Sequence, residues 1–213
     1  MEKEEDMKFS VLQGMIPYSV QCSTWPPEGR HILGHYNDKY IVVYQAYCPE
    51  IGHYAAKNQT FAGCPTFSMS RMTWIKTNFL WMMYRSNWGS RKSQEVTLAI
   101  WLKREGFEQI LSDATTKPSK DKPTGKVRLQ WDPDHTPAGD KSTRRAIQLG
   151  LKGDMVKKYI NDWIVKIEDI SKYVEEISIY VHSDHDKLLL PAEKVYIPSD
   201  KSILTKLEAS EIS

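Results

Sequence analysis

Residues 40–47 read Tyr-Ile-Val-Val-Tyr-Gln-Ala-Tyr, and they decide the class of fold. Alternate residues of a strand point to opposite sides of a sheet, and here both sets of side chains are largely apolar. A strand that is apolar on both sides is typical of the centre of a sheet that is covered on both faces. Residues 30–36 form a second β-rich run, and Asn37-Asp38 between the two runs predicts a hairpin turn.

Outward from this strand, β-forming and helix-forming segments alternate. Pro49 suits the first turn of a helix, so a short helix is predicted at 50–58. Strands are predicted at 95–103, 127–131, 145–149 and 194–197, and a helix at about 104–114. The pattern indicates an α+β fold, a single domain with a mixed or antiparallel central sheet flanked by helices. The length of 213 residues favours one sizeable core over two.

Polar stretches set the predicted boundaries of this domain. Residues 1–29 are predicted to be an N-terminal arm that packs only in part, 30–198 the domain, and 199–213 a C-terminal tail. Residues 115–126 contain two prolines and are rich in lysine, so they are predicted to be a loop inside the domain.

Apolar residues of the 156–181 segment recur at spacings of four and three, which predicts helix. Sustained for more than three heptads, the repeat is compatible with a coiled-coil seam between two chains, but two consecutive helices that pack on the core are the preferred interpretation. The repeating residues are Val156, Ile160, Trp163, Ile167, Ile170, Val174, Ile177 and Val181.

Composition narrows the classes of function. The formal net charge is only +2, so any basic site for nucleic acid must be local. No stretch approaches the roughly 18 apolar residues of a membrane span, and the acidic, polar start is unlike a signal peptide. We expect a cytoplasmic monomer with no membrane partner.

Neither disulfides nor a metal site are predicted. Cys22, Cys48 and Cys64 are odd in number and share no CxxC spacing, so reduced thiols are expected. His182 and His185 lie close together in a hydrophilic loop, but no further cluster of ligands would complete a tetrahedral site.

Residues 71–88 are unusually rich in tryptophan and in cationic side chains. If the segment is one helix, the spacings of three and four place these residues on a single stripe. Arginine pairs with phosphate and an indole stacks on flat rings, so the stripe is suited to a flat, anionic ligand. Its members are Arg71, Trp74, Asn78, Trp81, Arg85 and Trp88.

Polar side chains also occur inside the predicted strands, where an unpaired buried amide or guanidinium is costly. Because four of them come from three strands, a shared polar cleft is the preferred interpretation, with a structural network as the alternative. These four are Gln45, Arg128, Gln130 and Gln148. Arg71, Lys76, Arg85 and Arg145 would supply the cationic side of that cleft, unless single arginines serve as cation–π struts.

Five runs of the sequence resemble the signature of a family known as a domain of unknown function, numbered 4291. The resemblance covers roughly residues 30–195 and supplies no chemistry. Thr77 departs from the proline that the family usually has after its Trp-Ile-Lys motif, so the helix would then begin only at about Asn78. In that case Arg71, Trp74 and Lys76 lie on a preceding extended segment. The runs are residues 43–47, 71–76, 79–86, 130–133 and 145–151.

The order of the predicted elements is similar to the layout of the ADP-ribosyltransferase and RNA 2′-phosphotransferase superfamily. This weaker resemblance implies that Tyr44 and Gln45 lie at the nicotinamide side of NAD and that Glu95 is the late carboxylate. Glu95 has no companion in the Gln-x-Glu spacing of that superfamily, so its catalytic pattern is not reproduced.

The sequence therefore predicts a nucleotide-handling transferase that acts with NAD or on an RNA end. Tyr44, Gln45 and Glu95 are the predicted catalytic residues, Trp74 and Trp81 the predicted stacking residues. Ligand and phosphate binding is assigned to Arg71, Lys76, Arg85, Arg128, Gln130, Arg145 and Gln148. Two alternatives stay open: a non-catalytic nucleic-acid-binding module that uses the same stripe, and a protein-interaction domain that uses the 156–181 helix.

Overall fold

A computed structural model describes residues 9–116 and 126–211 of the chain. Its helices are α1 (Tyr18–Gln21), α2 (Pro49–Asn58), α3 (Phe79–Ser86), α4 (Arg104–Ser112), α5 (Asp154–Lys158), α6 (Ser171–Ser178) and α7 (Ser202–Lys206). Its strands are β1 (Ile16–Pro17), β2 (Gly29–Arg30), β3 (Leu33–Gly34), β4 (Tyr40–Tyr47), β5 (Thr73–Lys76), β6 (Val96–Lys103), β7 (Ala114–Thr115), β8 (Val127–His135), β9 (Lys141–Leu151), β10 (Ile164–Asp169), β11 (Leu189–Leu190) and β12 (Lys194–Val195).

One large sheet organises the fold, in the order β10-β6-β4-β5-β9-β8-β7, with β2 added beside β9. The pairings β7–β8 and β2–β9 are parallel and the others are antiparallel, so the sheet is mixed. The predicted single-domain α+β fold is confirmed. Two short pairs, β1–β11 and β12–β3, tie the ends of the domain together.

Helices cover both faces of the sheet and enclose two hydrophobic cores. On one face α2, α4 and α5 pack on alternate residues of β4 and β6, such as Val43 and Ile100. On the other face α3 and α6 pack on Val42 and Trp101. Both faces of β4 are therefore buried, as its sequence predicts.

The segment 71–88 is not one helix. β5 ends at Lys76, and Asn78 then begins α3 by accepting a hydrogen bond from the Trp81 backbone N–H at 2.7 Å. The Glu193 carboxylate accepts from the Phe79 backbone N–H at 2.7 Å and satisfies a second free donor of the first turn. A continuous helix from Arg71 is thus wrong, and the alternative start at about Asn78 is confirmed.

The same helix also ends earlier than the stripe requires. Asn87 and Trp88 adopt left-handed backbone angles, with φ of 49° and 52°. Trp88 lies beyond α3, and its indole N–H donates to the Pro137 carbonyl at 3.1 Å. It is therefore separated from the face that Trp81 and Arg85 occupy.

The prediction that residues 156–181 are helical throughout, as two consecutive helices, is wrong in its middle part. Residues 164–169 form β10, which is the edge strand of the sheet and pairs with β6. Ile167 contributes to one core, whereas Ile170 and Val174 contribute to the other. Pairing with β6 overrides the helical spacing of the apolar residues. The described residues 156–181 therefore do not form one helix that carries the whole repeat.

The predicted hairpin of residues 30–36 with β4 is largely wrong as well. β2 pairs with β9 and β3 with β12, and only Tyr36 lies opposite β4, at Ile41. The turn itself is present, since the Asn37 side chain accepts from the Tyr40 backbone N–H at 2.8 Å.

The ends of the domain are partly built into the core. Of the N-terminal arm, residues 9–29 are described, and Val11 and Trp25 in it are buried. Of the predicted lysine-rich loop, residues 117–125 lie outside the described residues. Across the described ranges, no helix has the length and apolar character needed to cross a membrane.

Candidate functional site

A cleft of about 720 Å³ opens where β4 and β5 separate, beside the C-terminal half of β9 and under α3. β4 and β5 pair only at Tyr44 and Lys76, so the residues after Tyr44 in β4 and before Lys76 in β5 are not paired with each other. The loop around residues 66–72 and the segment at Ser93–Gln94 form the rest of its wall. Seven of the predicted site residues line it: Gln45, Arg71, Trp74, Lys76, Trp81, Arg85 and Gln148.

Gln45 holds the two separated strands together. Its amide nitrogen donates to the Trp74 carbonyl and to the Tyr47 hydroxyl, each at 3.0 Å. Its amide oxygen accepts from the Tyr159 hydroxyl at 2.9 Å. Both amide protons are thus used within the protein, so Gln45 shapes the wall of the cleft.

Lys76 is the last residue of β5 and is only 7% exposed, although its side chain borders the cleft. Its pKa is lowered from 10.5 to about 8, mainly by burial and secondly by the nearby Arg85 guanidinium, while the Asp132 carboxylate opposes both. Among the described residues, none makes a hydrogen bond or an ion pair with its amine. A buried lysine with a pKa near neutrality exists in both its charged and its neutral form under physiological conditions.

Asp132 is the one carboxylate among the described residues of the cleft wall. The Gln148 amide donates to its Oδ2 at 2.5 Å and to the Gln130 amide oxygen at 2.9 Å. Gln130 and Gln148 are opposite each other in the β8–β9 pairing, which fixes this small network on the sheet. The network orients Asp132 toward the cleft.

Helix α3 contributes Trp81 and Arg85, which are four residues apart and so share a face. Trp81 is buried, and its indole N–H has no hydrogen-bond partner among the described residues. Its ring is nearly parallel to that of His135, with centroids 5.1 Å apart. Arg85 is exposed, so its guanidinium is free to meet a ligand from the solvent side.

Trp74 and Arg71 complete the wall. Trp74 lies opposite Gly150 in the β5–β9 pairing, and a Cβ at Gly150 would lie 3.0 Å from the Trp74 Cη2 atom and 2.6 Å from the Met72 sulfur. Glycine at this position therefore makes room for the indole and the thioether against the sheet. Arg71, just before β5, is exposed.

The chain matches the model of one known family. A family model described as Domain of unknown function (DUF4291) matches residues 31–196. The chain belongs to this family. No curated protein matches the chain. The layout similarity to the ADP-ribosyltransferase superfamily has no support in the family match.

The DUF4291 match agrees with the resemblance that the sequence shows, and each of the five runs contributes to the cleft. Gln45 comes from 43–47, Lys76 from 71–76 and Arg85 from 79–86. Asp132 comes from 130–133 and Gln148 from 145–151. The five runs that carry the resemblance thus meet at one place in the fold.

Two of the predicted catalytic residues lie elsewhere. Tyr44 is buried in the core against Phe79, with ring centroids 5.5 Å apart, and it does not border the cleft. Glu95 borders a separate cavity of about 660 Å³ near Asp169, and its Oε1 accepts from the Ser93 backbone N–H at 2.9 Å. Neither is placed to act on a ligand held by Lys76.

Three of the predicted binding residues also do not line the cleft. Gln130 reaches the cleft only through its hydrogen bond to Gln148. Arg128 is exposed on β8, and Arg145 is exposed on β9 opposite Pro133. Neither arginine borders the cleft.

Asp132 is the cleft residue that the sequence interpretation missed. The strand predicted at 127–131 ends before Asp132, and a proline such as Pro133 is uncommon inside a sheet. In the structure β8 continues to His135. The period of two from Gln130 to Asp132 is the signal that places both side chains on the same face.

A metal site is not evident in the ranges 9–116 and 126–211. They contain no group of three or more His, Cys, Asp or Glu residues arranged to hold an ion. The donors of the cleft are arginine, lysine, amide and indole groups, which suit anions and rings.

Proposed function

We propose that the cleft binds a nucleotide and that the protein is a nucleotide-handling enzyme of transferase type. The observation that supports this most is the meeting of Arg71, Lys76 and Arg85 with a single acid, Asp132, beside two indoles. NAD or an RNA end is the proposed ligand.

The charge of the cleft favours an anion. Three cationic side chains face one carboxylate, whereas the whole chain has a formal net charge of only +2. The positive field is therefore local. Arg71 and Arg85 are exposed and present the planar fork of donors that pairs with phosphate oxygens.

The aromatic side of the cleft favours a ring. Trp74 borders it with a partly exposed indole, and the buried Trp81 N–H offers a donor that no protein acceptor uses among the described residues. A ligand acceptor would satisfy this donor, which is costly to leave unpaired. The volume of about 720 Å³ is within the range of pockets for small molecules of nucleotide size.

Lys76 and Asp132 supply chemistry that a simple binding site does not need. The pKa of Lys76, lowered to about 8 mainly by burial, keeps part of the amine neutral at physiological pH. A neutral amine beside a carboxylate is a pair suited to proton transfer or to nucleophilic attack. In this proposal Asp132 takes the role that the sequence assigned to Glu95.

Binding is tested by thermal shift and calorimetry with ATP, NAD and a short RNA. We expect at least one of them to raise the melting temperature, because a ligand that binds only the folded state stabilises it by mass action. Arg85→Ala should weaken that binding, whereas Arg145→Ala, an exposed arginine outside the cleft, should not. The proposal fails if no ligand shifts the melting temperature, or if the two variants weaken binding equally.

The nucleic-acid-binding module is the alternative outcome of the same assay. It predicts binding of RNA alone, with an affinity that falls steeply as salt is raised, and no conversion of any nucleotide. The exposure of Arg71 and Arg85 at the cleft mouth is the observation that keeps this alternative.

A further inference from the structure

Lys76 differs from the other cations of the cleft in its depth. Arg71 and Arg85 are exposed, whereas Lys76, on strand β5 at the wall of the cleft, is only 7% exposed. Trp81, also buried, lies on the α3 side of the same cleft. A nucleotide with its base toward the indoles and its outer phosphates toward the two arginines would bring its innermost phosphate to the amine.

We propose that Lys76 is the nucleophile of the enzyme and that it takes up a nucleoside monophosphate from a nucleotide with a phosphoanhydride, such as ATP or NAD. This inference rests on the proposed function and adds the reacting atom and the substrate class. The product is a phosphoramidate on the Lys76 amine.

The atoms of this step balance without a further reactant. The lone pair of the neutral amine attacks the phosphorus next to the ribose and forms an N–P bond. The P–O bond of the anhydride breaks, and pyrophosphate leaves from ATP or nicotinamide mononucleotide from NAD. The proton that the amine loses passes to the Asp132 carboxylate, which the Gln148 amide holds at 2.5 Å.

The surroundings of Lys76 favour this role over that of a fixed phosphate anchor. A lysine that serves only as a positive charge gains from a partner that keeps it protonated, yet no such partner bonds its amine in the part of the chain that the structure describes. Burial and the Arg85 charge lower its pKa. Arg71 and Arg85 are placed to neutralise the negative charge that develops on the leaving group.

The experiment is to incubate the whole protein with ATP or NAD and magnesium chloride and to measure its intact mass. We expect a mass increase of one nucleoside monophosphate, stable to alkali and removed by acid, as a P–N bond requires. Digestion and fragmentation of the wild-type protein should place the adduct on Lys76. The ATP analogue with a methylene group between its α and β phosphorus atoms should bind without forming the adduct.

Variants of Lys76 then show whether it acts as a nucleophile or only as a positive charge. Lys76→Arg keeps the positive charge but removes the nucleophilic amine, so it should bind ATP or NAD in calorimetry and form no adduct. Lys141→Arg, at an exposed site outside the cleft, should form the adduct as the wild type does. Mapping on the wild-type protein stays informative even where Lys76→Arg fails to fold.

The outcomes distinguish the two proposals. A wild-type protein that binds ATP or NAD but gains no mass, or gains it at another residue, overturns the role of Lys76 and leaves the proposed nucleotide binding intact. If neither nucleotide nor RNA binds at all, the proposed function fails and this inference fails with it.

Discussion

Replacing Lys76 by methionine removes a buried charge while keeping a chain of similar length. The pKa of Lys76 is lowered from 10.5 to about 8, with burial as the main cause and Arg85 as the second, against the opposing Asp132. Each tenfold change in proton affinity is worth about 1.4 kcal/mol, so the charged amine costs the folded state about 3 kcal/mol. We expect Lys76→Met to be more stable than the wild type at pH 7 by up to this amount.

The sign of the pH dependence follows from proton binding. Well below pH 8 the amine is charged in both the folded and the unfolded state, and its cost to the folded state is present in full. Between pH 8 and 10.5 the unfolded chain binds more protons, so the stability of the wild type rises with pH by about 1.4 kcal/mol per pH unit. Above 10.5 both states are neutral and the cost has disappeared.

The assay is urea unfolding, followed by tryptophan fluorescence, of both proteins at pH 7, 8, 9 and 10. The advantage of Lys76→Met should shrink by about 2 to 3 kcal/mol over this range, because the other titrating groups are common to both proteins. Lys141→Met, at an exposed site, should show a difference from wild type that is constant with pH. A constant or growing advantage of Lys76→Met would refute the reasoning, since the amine would then not be desolvated.

Three further substitutions test the site and the fold. Arg85→Ala should weaken nucleotide affinity about tenfold or more in calorimetry, as expected for a lost charge-assisted hydrogen bond, with little change in melting temperature because the side chain is exposed; a large loss of stability would contradict this. Asp134→Ala should cost about 3 to 5 kcal/mol in urea unfolding, because it leaves the buried Arg144 guanidinium, 2.7 Å away, without its ion partner; a neutral result would show that this charge reaches water. Gly106→Ala should lower the melting temperature by the equivalent of about 1 to 3 kcal/mol, since its Cβ would lie 2.3 Å from the Trp163 ring; the ordinary helix preference for alanine, about 1 kcal/mol, would instead raise it.

Local patterns predicted much of the fold because they depend on neighbouring residues. Both faces of residues 40–47 are apolar, and both faces of β4 are buried. Pro49 marks the start of α2, and residues 95–103 correspond to β6. The apolar spacing at 156–181 was misleading, because a distant strand, β6, offered residues 164–169 a ladder of hydrogen bonds.

Part of the cleft could also be predicted from the sequence, because some of its residues lie in recognisable strands. Gln130 and Gln148 occur in β-forming runs, and their pairing brings them into contact. Tyr44 and Gln45 are adjacent in sequence, yet they point to opposite faces of β4, and only Gln45 reaches the cleft. Which of two such neighbours borders a cleft depends on the helices that cover each face.

By itself, the sequence determined that the chain forms one α+β domain and where most of its central strands run. It also led to the prediction that certain side chains bind an anionic, ring-bearing ligand. Those properties follow from residue type and from periods of two along the chain. The tertiary structure alone decided that β4 and β5 pair only at Tyr44 and Lys76 and that Asp132 borders the same cleft as Lys76. It also decided that Tyr44 and Glu95 do not border this cleft. The reason is that these relations join segments distant in sequence, and they follow from strand pairing and helix packing rather than from the spacing of residues along the chain.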